Sequence, residues 1–175
     1  MDAEELLLRY AAGDRNFTSA DLSEANLESA DLRASVLDHA VLDGANLSQA
    51  DLRQASLKQA DLNGATLRNA DLRGADLTGA ILDGAILDGA LLDHANLSHS
   101  EMMVANMTEA NLSEANLNQA NLNAANLDHA DLSGADLATA DLSQANLHEA
   151  DLHNANLTGA NLEGANVEGT LLDEE

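Results

Sequence analysis

The chain counts in fives. From Phe17 to Leu172, every fifth residue is Leu or a close apolar substitute, and the residue two places earlier is nearly always Ala. With the Leu position written i, it is Leu in 28 of 32 units, the exceptions being Phe17, Met102, Met107 and Val167. Position i−2 is Ala in 28 of 32, the exceptions being Arg15, Ser35, Ser100 and Thr170. The register never slips, and a strict short period fixes an architecture before any other signal. An α-helix repeats its faces every 3.6 residues and a strand every 2, so a period of five fits neither. Wound as a helix, successive Leu positions would move about 140° around the axis and form no stripe. Laid out as a simple strand, they would alternate faces. The period does fit a coil that turns one corner per unit, with i and i−2 always facing inward. Four units close a square, and stacked squares pair their backbones at ~4.8 Å.

The unit itself, as in Ala20-Asp21-Leu22-Ser23-Glu24, recurs over about 155 of the 175 residues. In this it resembles the pentapeptide-repeat family, whose members fold as right-handed quadrilateral β-helices. The resemblance implies the square cross-section and the right hand; the inward pair and the unbroken register are read from the residues. The expected fold is therefore all-β: a right-handed quadrilateral β-helix of eight coils of four repeats over residues 15–174. At ~4.8 Å per coil the rod is about 38 Å long. The expected core includes Phe17, Leu22, Leu42, Leu62, Leu82, Met102, Met107, Leu122, Leu142 and Leu162.

Residues 2–13 break the period. Asp2 with Glu5 three places on reads as a capping-box-like helix start, and Gly13 as a helix C′ residue. Leu7, Tyr10 and Ala11 share a face, so a short amphipathic helix is expected to lie over the open end of the first coil, because solenoids need covered ends. The run Tyr10-Ala11-Ala12-Gly13-Asp14-Arg15-Asn16-Phe17 is similar to the leaders of cyanobacterial family members, with Phe17 as the plug of the first coil. At the other end, Leu171-Leu172-Asp173-Glu174-Glu175 carries no cap. An open β edge is expected there, with the terminal acids opposing stacking or the edge serving as an end-to-end dimer interface. The charge favours a monomer or a weak homodimer.

Hydrophobic residues make up 45% of the chain, yet aromatics make up only 1%. That suits a narrow solenoid, which needs one Leu and one small residue per side. The polarity alone could read as disorder, but the Leu ladder argues against it. No Pro and no Gly/Ser linker interrupts residues 1–175, so one domain is expected. There is no cysteine, hence no disulfide framework, and no apolar run suited to a signal peptide or membrane span. A cytoplasmic location is expected.

Little in the sequence points to catalysis. Catalytic sites need different residue types converging in a pocket, and the interior here is Leu and Ala. No enzymatic activity and no cofactor are expected. The six histidines, His39, His94, His99, His129, His148 and His153, all fall at outward i+1 or i+2 positions. With no Cys and no converging carboxylates apparent, no metal site is expected. The Gly-Asp nonapeptide of calcium-binding β-rolls is absent, and the threonines are too scattered for an ice-binding row. Ten of the eleven glycines occupy i+2, which reads as corner geometry rather than phosphate binding.

The surface holds the remaining information. At a spacing of four units, position i−1 gives one column of Asp31, Asp51, Asp71, Leu91, Asn111, Asp131, Asp151 and Leu171. The neighbouring column runs Asn26, Asn46, Thr66, Ile86, Asn106, Asn126, Asn146 and Asn166. The Asn column reads as an amide ladder. The Asp column lies beside Arg33, Arg53 and Arg73, which reads as surface charge pairing. Val36, Val41, Ile81, Ile86 and Leu91, with Met103 and Val104, are outward aliphatics of good β propensity; gathered on one side they would form an interface.

After Arg73 there is no Lys or Arg. Residues 1–73 carry a net charge of −6 and residues 74–175 a net charge of −18. Such a rod repels nucleic acid and anionic membranes and complements a basic protein surface. The candidate partner surface comprises Asp131, Asp136, Asp141, Asp151, Glu163 and Glu168. Two functions follow: an interaction or structural module with a basic protein partner, or a mimic of duplex DNA. Residues 15–175 carry −21 net, one charge per ~1.8 Å of rod, against ≈ 1.7 Å for duplex DNA. Some members of the family bind DNA gyrase as duplex mimics, and the resemblance keeps that alternative open. The Leu core, the N-terminal helix and the lack of any loop-sized register break depart from the gyrase-binding members.

Overall fold

A computed structural model describes residues 1–173. Past a short N-terminal helix, the chain forms parallel one-residue bridges, each joining an i−1 residue to the one 20 places later, from Asn16↔Val36 to Asn146↔Asn166. With four bridge positions in every 20 residues, the coil is four-sided. It is a parallel β-helix whose eight coils begin at Phe17, Leu37, Leu57, Leu77, Leu97, Leu117, Leu137 and Leu157.

Each unit is built the same way. The N–H of Leu22 donates to the Val41 carbonyl of the next coil (2.7 Å), Val41 N–H donates back to Ala20 O (2.9 Å), and Glu24 N–H donates to Asp43 O (2.8 Å). The corner is a β-turn closed from Ala25 N–H to Leu22 O (3.0 Å). Its third residue, i+2, has φ > 0, the mark of a type II turn. Glycine suits that position; at Gly74 an added Cβ would also meet the amide end of the Gln54 side chain, which would have to swing aside. Many corners nonetheless hold other residues, including the β-branched Val104 (φ 52) and Thr139 (φ 56), for which this backbone is unfavourable.

The inward pair forms one continuous core. Leu22, Leu42, Leu62, Leu82, Met102, Met107, Leu122 and Leu142 are at most 1% exposed, with Phe17 at 2% and the i−2 alanines stacked between them. Leu162 departs from the expectation. It is only partly buried, as are Leu157, Val167 and Leu172, because no described residue stacks over the eighth coil.

Helix α1 spans Ala3–Ala11. Asp2 caps it by accepting the Glu5 N–H at 2.8 Å. It ends in a Schellman motif: Asp14 N–H donates to Arg9 O, Gly13 N–H donates to Tyr10 O, and Gly13 has φ +99. The face that covers the coil is not the expected one. Leu6 is fully buried and Tyr10 half-buried, whereas Leu7 is 37% exposed and Ala11 is exposed. Tyr10 fixes this rotation by donating its hydroxyl to Asp31 Oδ1 and Arg33 O in the first coil.

Polar replacements at i−2 differ in how they are satisfied. Ser100 Oγ donates to Leu97 O (2.6 Å) and Thr170 Oγ1 to Val167 O (2.7 Å). Ser35 Oγ is buried without a partner. Ser35→Ala, which restores the usual residue, is therefore expected to stabilise the protein by about 1 kcal/mol, seen as a rise in the midpoint of a urea melt. An unchanged or lowered midpoint would mean that the hydroxyl is bonded.

Candidate interaction surface

The Asp or Asn at i−1 has a structural role that the sequence reading did not assign. Its Oδ1 accepts the backbone N–H two residues on, an Asx turn that holds the corner. Ser133 N–H reaches Asp131 at 2.9 Å, Ala138 reaches Asp136 at 3.1 Å, Ser143 reaches Asp141 at 2.9 Å and His153 reaches Asp151 at 2.9 Å. Four of the six candidate surface carboxylates are thus first of all turn caps, while Glu163 and Glu168 sit at i+1 on corners capped by Asn161 and Asn166. The Ser143 hydroxyl and N–H hold the Asp141 carboxyl below the usual range, and the N–H and ring of His153 do the same for Asp151.

Neighbouring coils link these caps. On the Asn face, Asn126 Nδ2 donates to Asn106 Oδ1 (3.3 Å), Asn146 to Asn126 (3.0 Å) and Asn166 to Asn146 (2.9 Å), forming the expected amide ladder. Where the column mixes types, the amide serves a carboxylate: Asn156 donates to Asp136 (2.9 Å) and Asn161 to Asp141 (3.0 Å).

In the first three coils the Asp column is neutralised stepwise. Arg33 pairs with Asp31 (2.6 Å) and Asp51 (3.5 Å), Arg53 with Asp51 (2.6 Å) and Asp71 (3.5 Å), and Arg73 with Asp71 (2.6 Å). Hydrogen bonds from these arginines hold Asp31, Asp51 and Asp71 below the ordinary carboxylate range. A depressed folded-state pKa contributes stability above the unfolded value, near 3.9, and that contribution is lost as pH falls through the folded value. Arg53→Gln should therefore return Asp51 toward the ordinary value and move acid unfolding to higher pH. Carboxyl 13C titration and a pH melt read both effects, and an unmoved Asp51 would contradict the pairing.

Beyond Arg73 the sequence supplies only histidines as bases, and past Asp76 and Asp88, which pair back to Lys58 and Arg68, no carboxylate has a Lys or Arg partner among the described residues. The six candidate residues do not form one patch. Asp131 and Asp151 are bridge partners on one side, and Glu168 belongs to the adjoining corner. Asp136 lies on another side, and Asp141 and Glu163 on a third, as the 20-residue register dictates. Asp131, Asp136 and Asp141 are half-buried, while Asp151, Glu163 and Glu168 are exposed. The densest acidity runs along the side of Asp131 and Asp151 and its two corners, with Glu114 on the following corner and Glu109, Asp128, Glu149 and Glu168 on the preceding one.

Set into that corner is a cluster the sequence reading missed. Asp128, His129 and His148 bring ligand-type atoms within 4.8 Å of one another, which corrects the expectation that no carboxylate converges on the histidines. The signal was available: residues 20 apart stack, so His148 falls beneath Asp128, and His129 is Asp128's neighbour.

The outward aliphatics do not close into one patch. Val41, Ile81 and Leu91 are each 36% exposed, and Val104 is 62% exposed. In the column that holds Val41 and Ile81, however, Asp61 and Glu101 alternate with them. The concavities among the described residues are shallow depressions open to solvent, such as the one where Met1–Ala3 meet Asp21, Ser23 and Asn26. No helix among these residues is long and apolar enough to cross a membrane.

A four-sided parallel β-helix on a five-residue repeat, capped by one helix, defines a class of repeat protein. The pentapeptide-repeats family matches residues 16–54, 70–103, 105–144 and 135–173 in eight copies, and the chain belongs to that family. Membership implies a right-handed coil. Among solved structures it is similar to HetL, a pentapeptide repeat protein involved in heterocyst differentiation regulation from the cyanobacterium Nostoc sp. strain PCC 7120. That match has 35% identity over 97% of this chain and 94% of HetL, with a TM-score of 0.60. A trypsin-treated variant of QnrB1, a plasmid-mediated fluoroquinolone resistance protein, shares the fold at 24% identity over 86% of this chain and 78% of its own, with a TM-score of 0.69. No curated protein matches the sequence.

Proposed function

We propose that the chain is a non-enzymatic protein-interaction rod, one unit over residues 1–175, that engages a basic protein surface in the cytoplasm through its acidic C-terminal half. The observation that carries this reading is the charge asymmetry along the coil, −6 before residue 74 and −18 after it. In the first half the Asp column is matched by arginines; in the second, Asp76 and Asp88 still pair with Lys58 and Arg68 from the coil before, and among the described residues no Lys or Arg pairs with the carboxylates beyond them. Asp131, Asp151 and Glu168 are the centre of the proposed surface, with Asp136, Asp141 and Glu163 on the other sides. HetL is involved in heterocyst differentiation regulation, and likeness over nearly the whole chain supports a regulatory role. Capture from an extract of the source organism tests the reading: specific partners should bind at low salt and be released at high salt, by screening. Partners retained equally at high salt would contradict a charge-driven surface.

A second reading, the duplex-DNA mimic, is favoured by the linear charge density, one per ~1.8 Å against ≈ 1.7 Å. A supercoiling assay with purified gyrase separates the two. Salt-sensitive inhibition or protection at stoichiometric protein would support mimicry, and no effect at tens of micromolar would leave the interaction rod.

The last coil bears on assembly. Among the described residues nothing pairs with its outer edge, and Leu171 is 47% exposed; such an edge would invite pairing with a second copy, while the acidic half opposes its own approach. We expect a monomer or a weak dimer at low salt and an end-to-end dimer at high salt; a tight dimer at low salt in sedimentation would overturn this. Glu174 and Glu175, expected to add to the repulsion, lie outside the described residues.

A further inference from the structure

Two corners that stack on one another, at residues 128–129 and 148–149, place two imidazoles and two carboxylates in a closed ring. Asp128 sets Oδ1 2.8 Å from His148 Nδ1 and Oδ2 3.9 Å from His129 Nε2. Glu149 sets Oε2 3.2 Å from His129 Nδ1 and Oε1 4.0 Å from His148 Nε2. Each carboxylate thus addresses both rings, and the rings meet edge to face with centroids 5.5 Å apart. The backbone under them is fixed, because His129 N–H donates to His148 O at 2.9 Å and His129 holds φ 56. We infer that Asp128, His129 and His148 form a surface site for a divalent transition-metal ion, of which Zn2+ is the type case, with Glu149 on the far nitrogens of the two rings as their outer-shell partner.

The chemistry fits a borderline-soft ion. Imidazole with carboxylate suits zinc, copper or nickel, whereas calcium and magnesium need oxygen-rich cages. Metal bonds of 2.0–2.2 Å put tetrahedral ligands ~3.4 Å apart. The Asp128, His129 and His148 atoms lie within 4.8 Å of one another, so closure needs side-chain movements of about an ångström, and these are surface side chains. The ion would displace the hydrogen bond between His148 and Asp128. The surrounding field favours it: Glu109 stacks above His129 and Glu168 below His148 in the 20-residue register, and no Lys or Arg follows Arg73 to compete. A bound ion would tie the sixth coil to the seventh and offset charge where the rod is most acidic. The site stands apart from the question of which protein the rod binds.

The acidic surface will attract any dication loosely, so the test separates a built site from that background. Zn2+ is titrated by calorimetry into the whole protein in excess Mg2+, and Co2+ is followed by its visible absorption. The expected result is saturation at one ion per chain, a Co2+ spectrum with nitrogen ligation that Zn2+ abolishes, and a raised melting temperature with Zn2+. His129→Asn with His148→Asn should weaken Zn2+ binding by at least the ~10–100-fold that loss of an outer-shell partner costs, while His94→Asn with His99→Asn should leave it unchanged. Asn is native at equivalent corner positions, Asn69 and Asn154 at i+2 and Asn118 and Asn123 at i+1, so the variants keep the fold. Binding within about twofold of wild type after loss of both cluster histidines, or no saturable Zn2+ binding above the Mg2+ background, would overturn the site.

Discussion

Leu82→Asp is expected to abolish cooperative folding. Leu82 is fully buried midway along the rod, among Leu and Ala side chains that offer no partner. Burying an unpaired carboxylate costs several kcal/mol, a large part of the about 5–15 kcal/mol that holds an ordinary domain together. In a solenoid each coil contacts only its neighbours, so damage in the fourth coil separates the coils before it from those after it. The melt should lose its single transition or split in two. A native-like melt at neutral pH would show that position i does not face inward.

The next largest effect is expected at the N-terminal cap. Leu6 is fully buried against the first coil, so Leu6→Ala should cost about 2–5 kcal/mol. Leu7, 37% exposed, should lose less than about 0.5 kcal/mol on the same substitution. Paired urea melts compare them directly. Equal losses, or a larger loss at Leu7, would mean that α1 is rotated from the position described.

That pair marks where the sequence stopped being informative. Periodicity places a helix before Phe17 and names an apolar stripe, but Leu6, Leu7 and Leu8 are consecutive, and an apolar run does not say which member faces the coil. Docking decides it, through the Tyr10 hydroxyl on Asp31 and the Arg33 carbonyl. The core was legible because a period of five leaves one inward Leu per side; of the expected core residues Leu162 is the one only partly buried, with no described residue stacked over it. The Asp–Arg staircase was legible for the same reason, since residues 20 apart stack. The histidine cluster obeys the same register but needs two rules at once, the stacking of His148 under Asp128 and the adjacency of Asp128 and His129. The turn-capping role of the i−1 carboxylates was hidden by their charge. Asn performs the same task in neighbouring coils, which shows that geometry, not ionisation, is what the corner requires.

This last point provides the most direct test of the rod as an acidic interaction surface. Replacing Asp131, Asp136, Asp141 and Asp151 by Asn, and Glu163 and Glu168 by Gln, removes charge while each i−1 oxygen can still accept its turn N–H. The variant should melt like the wild type. In a capture experiment from the same extract at low salt, it should lose the basic partners that the wild type retains. A variant that is folded and still holds the same partners with the same affinity would contradict the account.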